Sequence, residues 1–331
     1  MHAIIPERYG RGNVRALVVS NMLADAAHPE RGSFVRDQVA ALRALGGADV
    51  ELYEFPPGPR ALARAARDLR RRHGHGQAFD VVHAHFGLTA WPALAVRARV
   101  RALTMHGTDL ADPRTRLATR AVLGLIDLPA AVSEQLAEQI PGRAGARAEI
   151  LPCGVDTARF QPLVAREARA RLGLDPGRPF VLFAADPSRP EKRYELAREL
   201  AAAAGVEICA LGAVEPARVP LWVNAASAVI VPSAREGFGL AVLEALACDV
   251  PVLATPVGVH AEALAGVDGT LCAPFEISTW RAALEPLLRG GESRVEGRAA
   301  AARFSSGAMA ERVLAAWRRA LARSAVRVDG E

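Results

Sequence analysis

At 331 residues with 51% hydrophobic content the chain is long for one domain and has apolar material for two cores, so two domains are the starting expectation. Its four cysteines, Cys153, Cys209, Cys248 and Cys272, lie far apart with no C-x-x-C pair, which argues against a disulfide framework and a zinc site. The formal charge of +5 comes from arginines spread along the chain without an aromatic-rich basic groove, which argues against a nucleic-acid binder.

In chain order, the N-terminus carries Glu7, Arg8 and Arg11 and shows no signal-peptide core, and no apolar run approaches a membrane span. A reducing cytoplasmic setting is expected. Strands are predicted at Arg15–Ser20, Asp49–Tyr53, Val81–His85, Arg101–Met105 and Ala130–Val132, with helices at Phe34–Leu45, Pro59–Arg72 and Ser133–Gln139. In the second half, strands are expected at Phe180–Ala184, Glu207–Leu211, Ala228–Val231, Val250–Ala254 and Gly269–Cys272. Helices are expected at Arg166–Leu172, Arg193–Ala203, Leu240–Cys248, Ser278–Leu288 and Ser306–Arg323. Strands alternating with helices across short Gly or Pro punctuation predict stacked βαβ units and parallel sheets.

Four stretches carry the candidate chemistry. The first strand is followed by S20-N-M-L-A-D and not by G-x-G-x-x-G, which argues against a dinucleotide-binding dehydrogenase. L103-T-M-H-G-T-D-L places His106, Gly107 and Asp109 at the carboxyl edge of a sheet, with Asp109 either meeting a ligand or capping the next turn. H83-A-H sets two imidazoles on one face of a strand end; a metal would want a third ligand that the sequence does not supply, leaving cleft lining or packing. Lys192 is the one lysine among 41 Lys and Arg residues, and it lies in a strand-to-helix turn, where a compact ammonium suits phosphate oxygens. From Arg235 to Thr255, R-E-G-F-G-L-A-V-L-E-A-L-A-C-D-V-P-V-L-A-T, a Gly loop leads into a nearly all-apolar helix and then a buried strand. Gly237 and Gly239 permit close backbone approach, and the helix start suits an anion. Glu244 alone breaks the apolar run, and the plain alternative is a core helix whose Glu pairs with an Arg.

Glu236 and Glu244 stand with seven residues between them within P-S-x-x-E-G-F-G-L-x-x-L-E-A-L-A-C-x-x-P-V-L-A-T, starting at Pro232, and this segment resembles the E-x7-E signature of retaining GT-B glycosyltransferases, in particular glycosyltransferase family 4. The resemblance implies an α/β GT-B fold of two Rossmann-like domains with parallel sheets facing a central cleft. It sets residues 1–157 as an acceptor-side domain, 158–304 as the nucleotide-sugar-binding domain and 305–331 as a helix crossing back to the first. I150-L-P-C-G-V-D-T-A-R-F-Q-P resembles the family's interdomain segment, with Cys153 where Asn is usual.

By the same resemblance, Lys192 and Arg189 hold the donor diphosphate, Asp186 standing where the family's Arg is usual. Gly212, Gly237, Phe238, Gly239 and Leu240 line the donor, and Glu244 takes its ribose. His106 and Glu236 act on the donor sugar as the catalytic pair, while Gly32, Ser33 and Asp109 face the acceptor. The implied reaction moves a sugar from a nucleotide-diphosphate donor to an acceptor hydroxyl with retention, needing no metal and no other cofactor. A GT-B sugar-nucleotide epimerase and a non-catalytic nucleotide-sugar-binding paralogue are the alternatives. The arginines between Arg64 and Arg72 recur at helical spacing, so peripheral contact with the inner face of the cell membrane competes with a solvated helix face, which the Ala-rich apolar side favours.

Overall fold

The computed structural model describes residues 13–212, 214–289 and 293–328. The N-terminal reading at Glu7, Arg8 and Arg11 lies outside the described residues. The chain divides into two compact units: one contains residues up to Asp25, Arg31–Gly154 and the stretch from Ser306, and the other contains Ala26–Glu30 and Val155–Ser305.

The first unit holds a six-stranded parallel sheet of β1 (Val14–Ser20), β2 (Ala48–Glu54), β3 (Phe79–His85), β4 (Ala98–Met105), β5 (Leu128–Ala131) and β6 (Glu149–Ile150), in the order β2-β1-β3-β4-β5-β6. Val18 pairs with Leu52 on one side and His83 on the other, so the chain reverses direction of sheet growth between β1 and β3. Ligands of open α/β sheets bind outside the strand ends at such a reversal. The helix Ser33–Leu45 buries Val35, Gln38, Val39 and Leu42, the i, i+3, i+4, i+7 stripe of an amphipathic helix. That stripe meets the helix Ser306–Val328, whose Met309, Val313 and Trp317 join Val18, Val81 and Leu128 in one core. Each fully buried Leu or Val there contributes about 1.5–3 kcal/mol.

The second unit holds β7 (Phe180–Phe183), β8 (Glu207–Ala210), β9 (Ala228–Val231), β10 (Val252–Ala254) and β11 (Leu271–Cys272), in the order β11-β10-β9-β7-β8, again all parallel. β7 and β9 are buried along their whole length, as expected of central strands covered on both faces. Here the reversal lies between β7 and β9. Phe183, Ile230, Leu253 and Trp280 anchor this core.

Predicted elements and observed ones differ mainly at their ends. The predicted strand Val250–Ala254 begins at Val252 because Pro251 cannot donate to a ladder. The helix expected over Ser133–Gln139 is the short turn Glu134–Ala137, with the Ser133 hydroxyl accepting from the Leu136 amide. β6 was not anticipated; two residues carry no periodicity to read. The break between units falls at Gly154/Val155, three residues before the expected boundary at 157, because the Val155 amide donates to the Phe304 carbonyl and Val155 bridges to Ser305. The final helix packs within the first unit.

Candidate active site

In the second unit the loops after β7 and β9, either side of the reversal, meet. Pro190–Lys192 form a tight 3-10 turn and Arg193 follows in the left-handed region at φ 55°. This turn is tied to the β9 loop by the Ala234 amide donating to the Glu191 carbonyl (2.8 Å) and by Arg193 Nε donating to the Pro232 carbonyl (2.8 Å). Lys192 Nζ thereby reaches both oxygens of Glu236, at 2.6 and 2.7 Å, and Ser233 Oγ donates to Glu236 Oε1 at 2.7 Å. The two side chains retain only 13% and 9% exposure. Burial alone pushes the Glu236 carboxyl up, but the Lys192 charge and the hydrogen bonds from Lys192 and Ser233 outweigh it and hold Glu236 below its ordinary value.

Glu236 leads into Gly237, Phe238 and Gly239 and then the helix Leu240–Ala247. Phe238 is buried and meets Phe304 edge-on. Gly239 has φ 108°, and a Cβ there would lie 2.5 Å from His260 Nε2, so the position demands glycine twice over. His260 is buried, its Nδ1–H donates to the Thr255 carbonyl at 2.8 Å, and its Nε2 has no hydrogen-bond partner among the described residues. The first turn of the helix beyond Gly239 offers amides without intrahelical partners. Glu244 is not carried into the core: Val242, Leu243, Ala245, Leu246 and Ala247 are buried while Glu244 is half-buried on the remaining side.

Arg189 is not gathered into this cluster. Its Nε and Nη2 both donate to Glu191 Oε1, at 3.0 and 2.7 Å, and more than half of the side chain is exposed. Gly212 follows β8 and stands beside Pro187, whose Cδ would be 3.5 Å from an added Cβ. Sequence reasoning missed Ser233, Arg193 and His260. The Pro232-Ser233 dipeptide next to Glu236 was the available signal for the first; Arg193 caps the helix Tyr194–Ala203 and His260 opens the short helix His260–Leu264, and no periodic pattern singles out either.

In the first unit, His106 follows β4 and packs on Phe34 (4.8 Å between ring centroids), Phe86 (4.7 Å) and His85 (5.2 Å). Asp109 is buried; its Oδ1 accepts from the Gly87 amide and its Oδ2 from the His106 amide, at 2.5 and 2.6 Å, so it fastens the β4 loop to the β3 loop. Burial raises the Asp109 carboxyl, with those amides working the other way. Behind His106 lies a chain of neutral polar groups. His85 Nδ1 is 2.9 Å from His106 Nε2, Gln38 Nε2 is 3.3 Å from His85 Nε2, His83 stacks on His85 at 4.7 Å, and Trp317 Nε1 donates to His83 Nδ1 at 3.2 Å. Burial pushes His83 and His106 down to about 3 and His85 well below its ordinary value, so all three are uncharged near neutrality. Gly32 has φ 71° at the start of the helix Ser33–Leu45, where an added Cβ would lie 2.3 Å from the Met22 carbonyl oxygen; Ser33 is the first helical residue.

Among the described residues no group of three or more His, Cys, Asp and Glu side chains is arranged to hold a metal ion, and no helix is long and apolar enough to cross a membrane. On the helix Pro59–His73, Asp68 takes Arg71 and Arg72 as partners while Ala65 and Leu69 turn into the core.

Comparisons with known proteins agree with this architecture. The family described as Glycosyltransferase Family 4 matches residues 14–159, and the one described as Glycosyl transferases group 1 matches residues 167–304. The D-inositol 3-phosphate glycosyltransferase of Frankia alni is 31% identical over 330 residues, covering 78% of this chain and 79% of its own. Among solved structures, sucrose-phosphate synthase from Thermosynechococcus elongatus superposes with a TM-score of 0.71 at 18% identity, over 93% of this chain and 99% of that one. Anabaena Alr3699/HepE in complex with UDP and glucose superposes with a TM-score of 0.64 at 18% identity, over 90% and 98%. At those identities the two structures speak for the fold.

Proposed function

Because the chain belongs to glycosyltransferase family 4, with a GT-B fold and transferase class, we propose that it moves a sugar from a nucleotide-diphosphate sugar to an acceptor hydroxyl with retention of configuration. The observation that carries this reading is the buried Lys192–Glu236 pair beside the Gly237–Leu240 loop, at the reversal point of the second sheet. Departure of the nucleoside diphosphate leaves an oxocarbenium-like centre, and fixed donors in a water-poor site stabilise the leaving charge best. Lys192 and the amides at the start of the helix Leu240–Ala247 serve the diphosphate. Glu236, held ionised, faces the donor sugar, and Glu244 accepts from the ribose hydroxyls. Arg189 joins them only by leaving Glu191. His106, from the first unit, orients the transferred sugar. No metal is called on for these roles.

UDP-sugars are the first donors to test, since Alr3699/HepE was solved with UDP and glucose. D-Inositol 3-phosphate is the first acceptor, by the name of the Frankia relative. The chain is read as working in the cytoplasm with the helix Pro59–His73 as a solvated face, because Asp68 already engages two of its arginines; flotation with anionic vesicles would contradict this. The deciding experiment is thermal stabilisation by UDP-, GDP- and ADP-sugars, followed by transfer and an anomer assignment of the product. Retained configuration with a nucleotide sugar is expected. Donor consumption without an acceptor would make it an epimerase, and binding without turnover a non-catalytic paralogue.

A further inference from the structure

The polar chain behind His106 determines which of its nitrogens carries the proton. Gln38 lies on the buried stripe of the helix Ser33–Leu45, and its side-chain nitrogen can only donate, so His85 Nε2 must accept at 3.3 Å. A neutral imidazole has one proton, which in His85 is then on Nδ1 and is donated to His106 Nε2 at 2.9 Å. His106 Nε2 accepts, and the His106 proton is left on Nδ1. We propose that Gln38 and His85 are positioning residues that fix the orientation and tautomer of His106, so that it presents Nδ1–H to its ligand as a hydrogen-bond donor.

Three further contacts support a single arrangement. Phe34 and Phe86 hold the His106 ring, and His85 stacks on it with 29° between planes, leaving the imidazole little freedom to turn. His83 packs on the far side of His85 with its own tautomer set: the Trp317 indole only donates, to His83 Nδ1, so the His83 proton is on Nε2 and faces Thr104 Oγ1 at 2.8 Å. Protonating His106 would bring Nε2–H against His85 Nδ1–H, two donors face to face, and would break the chain. A ring in this state donates to an oxygen and cannot accept a proton at Nδ1, so His106 serves as a donor to the sugar and is excluded as a general base. That role rests on the proposed transfer reaction; the tautomer does not.

The test is nitrogen-15 NMR of the full chain labelled at histidine, with the His106 resonances assigned from His106→Ala. The wild type should show His106 protonated at Nδ1 and bare at Nε2 near pH 7. Gln38→Glu turns the chain around, because its carboxylate accepts from His85 Nε2–H, His85 Nδ1 then accepts, and His106 becomes protonated at Nε2. In that variant kcat should fall about 10- to 100-fold with donor KM little changed. His85→Asn, whose amide can donate from near the Nδ1 position, should keep the wild-type His106 signature and most of the activity; His85→Ala should keep neither. An Nε2-protonated His106 in the wild type overturns the proposal without any variant having to fold, and so does an unchanged tautomer in Gln38→Glu. If the tautomers follow the prediction while kcat does not move, the positioning stands and the assignment of His106 to the transferred sugar falls.

Discussion

Both units place their polar machinery at the carboxyl edge of a parallel sheet, but they keep it satisfied in opposite ways. In the second unit, Lys192 and Glu236 bury opposite charges that neutralise each other, with Ser233 taking up a further lone pair. In the first unit, Gln38, His85 and His106 pass single hydrogen bonds from group to group, and His83, bonded to Trp317, stacks on His85; none of these groups buries a charge. A buried ion pair is intolerant of losing one member, because the survivor stays charged in a poor solvent for charge. A neutral chain tolerates a lost member better and is vulnerable to protons instead. The contrast suits the proposed division of labour, since a diphosphate needs fixed charge and a neutral sugar hydroxyl needs oriented dipoles.

The largest effect should come from breaking the ion pair. Lys192→Ala leaves Glu236 ionised with Ser233 as its remaining partner and should cost about 3–5 kcal/mol of stability in urea melts. Nucleoside-diphosphate affinity should also fall by about 1.5–3 kcal/mol in calorimetry. Combining Lys192→Met with Glu236→Gln should restore most of the stability and none of the transfer activity. A single variant as stable as the wild type would show that the pair is not buried in solution, and the contrast between units would collapse.

Glycine substitutions separate the two units next. Gly239→Ala meets His260 at φ 108°, and Gly32→Ala meets the Met22 carbonyl at φ 71°; each should cost about 1–3 kcal/mol of stability. Only Gly239→Ala should also weaken nucleoside-diphosphate binding. Equal losses of binding in both would remove the assignment of the diphosphate to the second unit.

Acid should act more strongly on the first unit, where burial lowers His83, His85 and His106, than on the second, where it lowers His260. Folded His83 and His106 sit near 3 against an ordinary 6.5, so below pH 6.5 the unfolded chain takes up protons that the folded chain refuses, and stability falls as pH drops from 6.5 toward 3. Each histidine contributes up to about 1.4 kcal/mol per pH unit in that window. Glu236 has a lowered value, so its contribution is complete above its ordinary 4.5 and is lost only as pH falls through the lower folded value. Thermal melts between pH 7 and 5, followed by hydrogen exchange in β3 and β9, should show β3 losing protection first. The reverse order would contradict the neutral-chain description.

The smallest effect is expected at Glu244, which is only half-buried. Glu244→Gln should weaken nucleoside-diphosphate binding by about 0.5–1.5 kcal/mol and leave the melting temperature unchanged. Binding of 2′,3′-dideoxynucleoside diphosphates as tight as that of the parent nucleotides would end its ribose role.

The residue cluster of the second unit was largely legible in the sequence because its parts are local. A fully apolar strand such as Phe180–Phe183 announces a buried edge, and Glu236, Gly237, Gly239 and Glu244 follow one another at motif spacing. What the sequence did not show was that Lys192 and Glu236, 44 positions apart, form one pair, since that depends on how β7 and β9 neighbour each other. Arg189 shows what motif position alone leaves out: Glu191, two residues away, accepts from its guanidinium. In the first unit the H83-A-H pattern was visible but its meaning was not. Gln38 reaches His85 across 47 positions and Trp317 reaches His83 across 234, and no periodicity encodes either approach. The lone polar residue on the buried stripe Val35, Gln38, Val39, Leu42 was the available hint.

The helix Ser306–Val328 belongs to the first unit although the whole stretch Val155–Ser305 is synthesised before it. At about 5–20 residues per second, the sheet of β1 to β6 therefore waits roughly 10–30 s after its last strand has been made, with the surface destined for Met309, Val313 and Trp317 uncovered. The second unit can close during that interval from nearly contiguous chain. A nascent chain stalled just before Ser306 should accordingly bind a hydrophobic dye that the finished protein does not, and its His83 should lack the donor that sets its tautomer. Birth order, as well as packing, thus makes the helix that carries Trp317 a late arrival in the first unit.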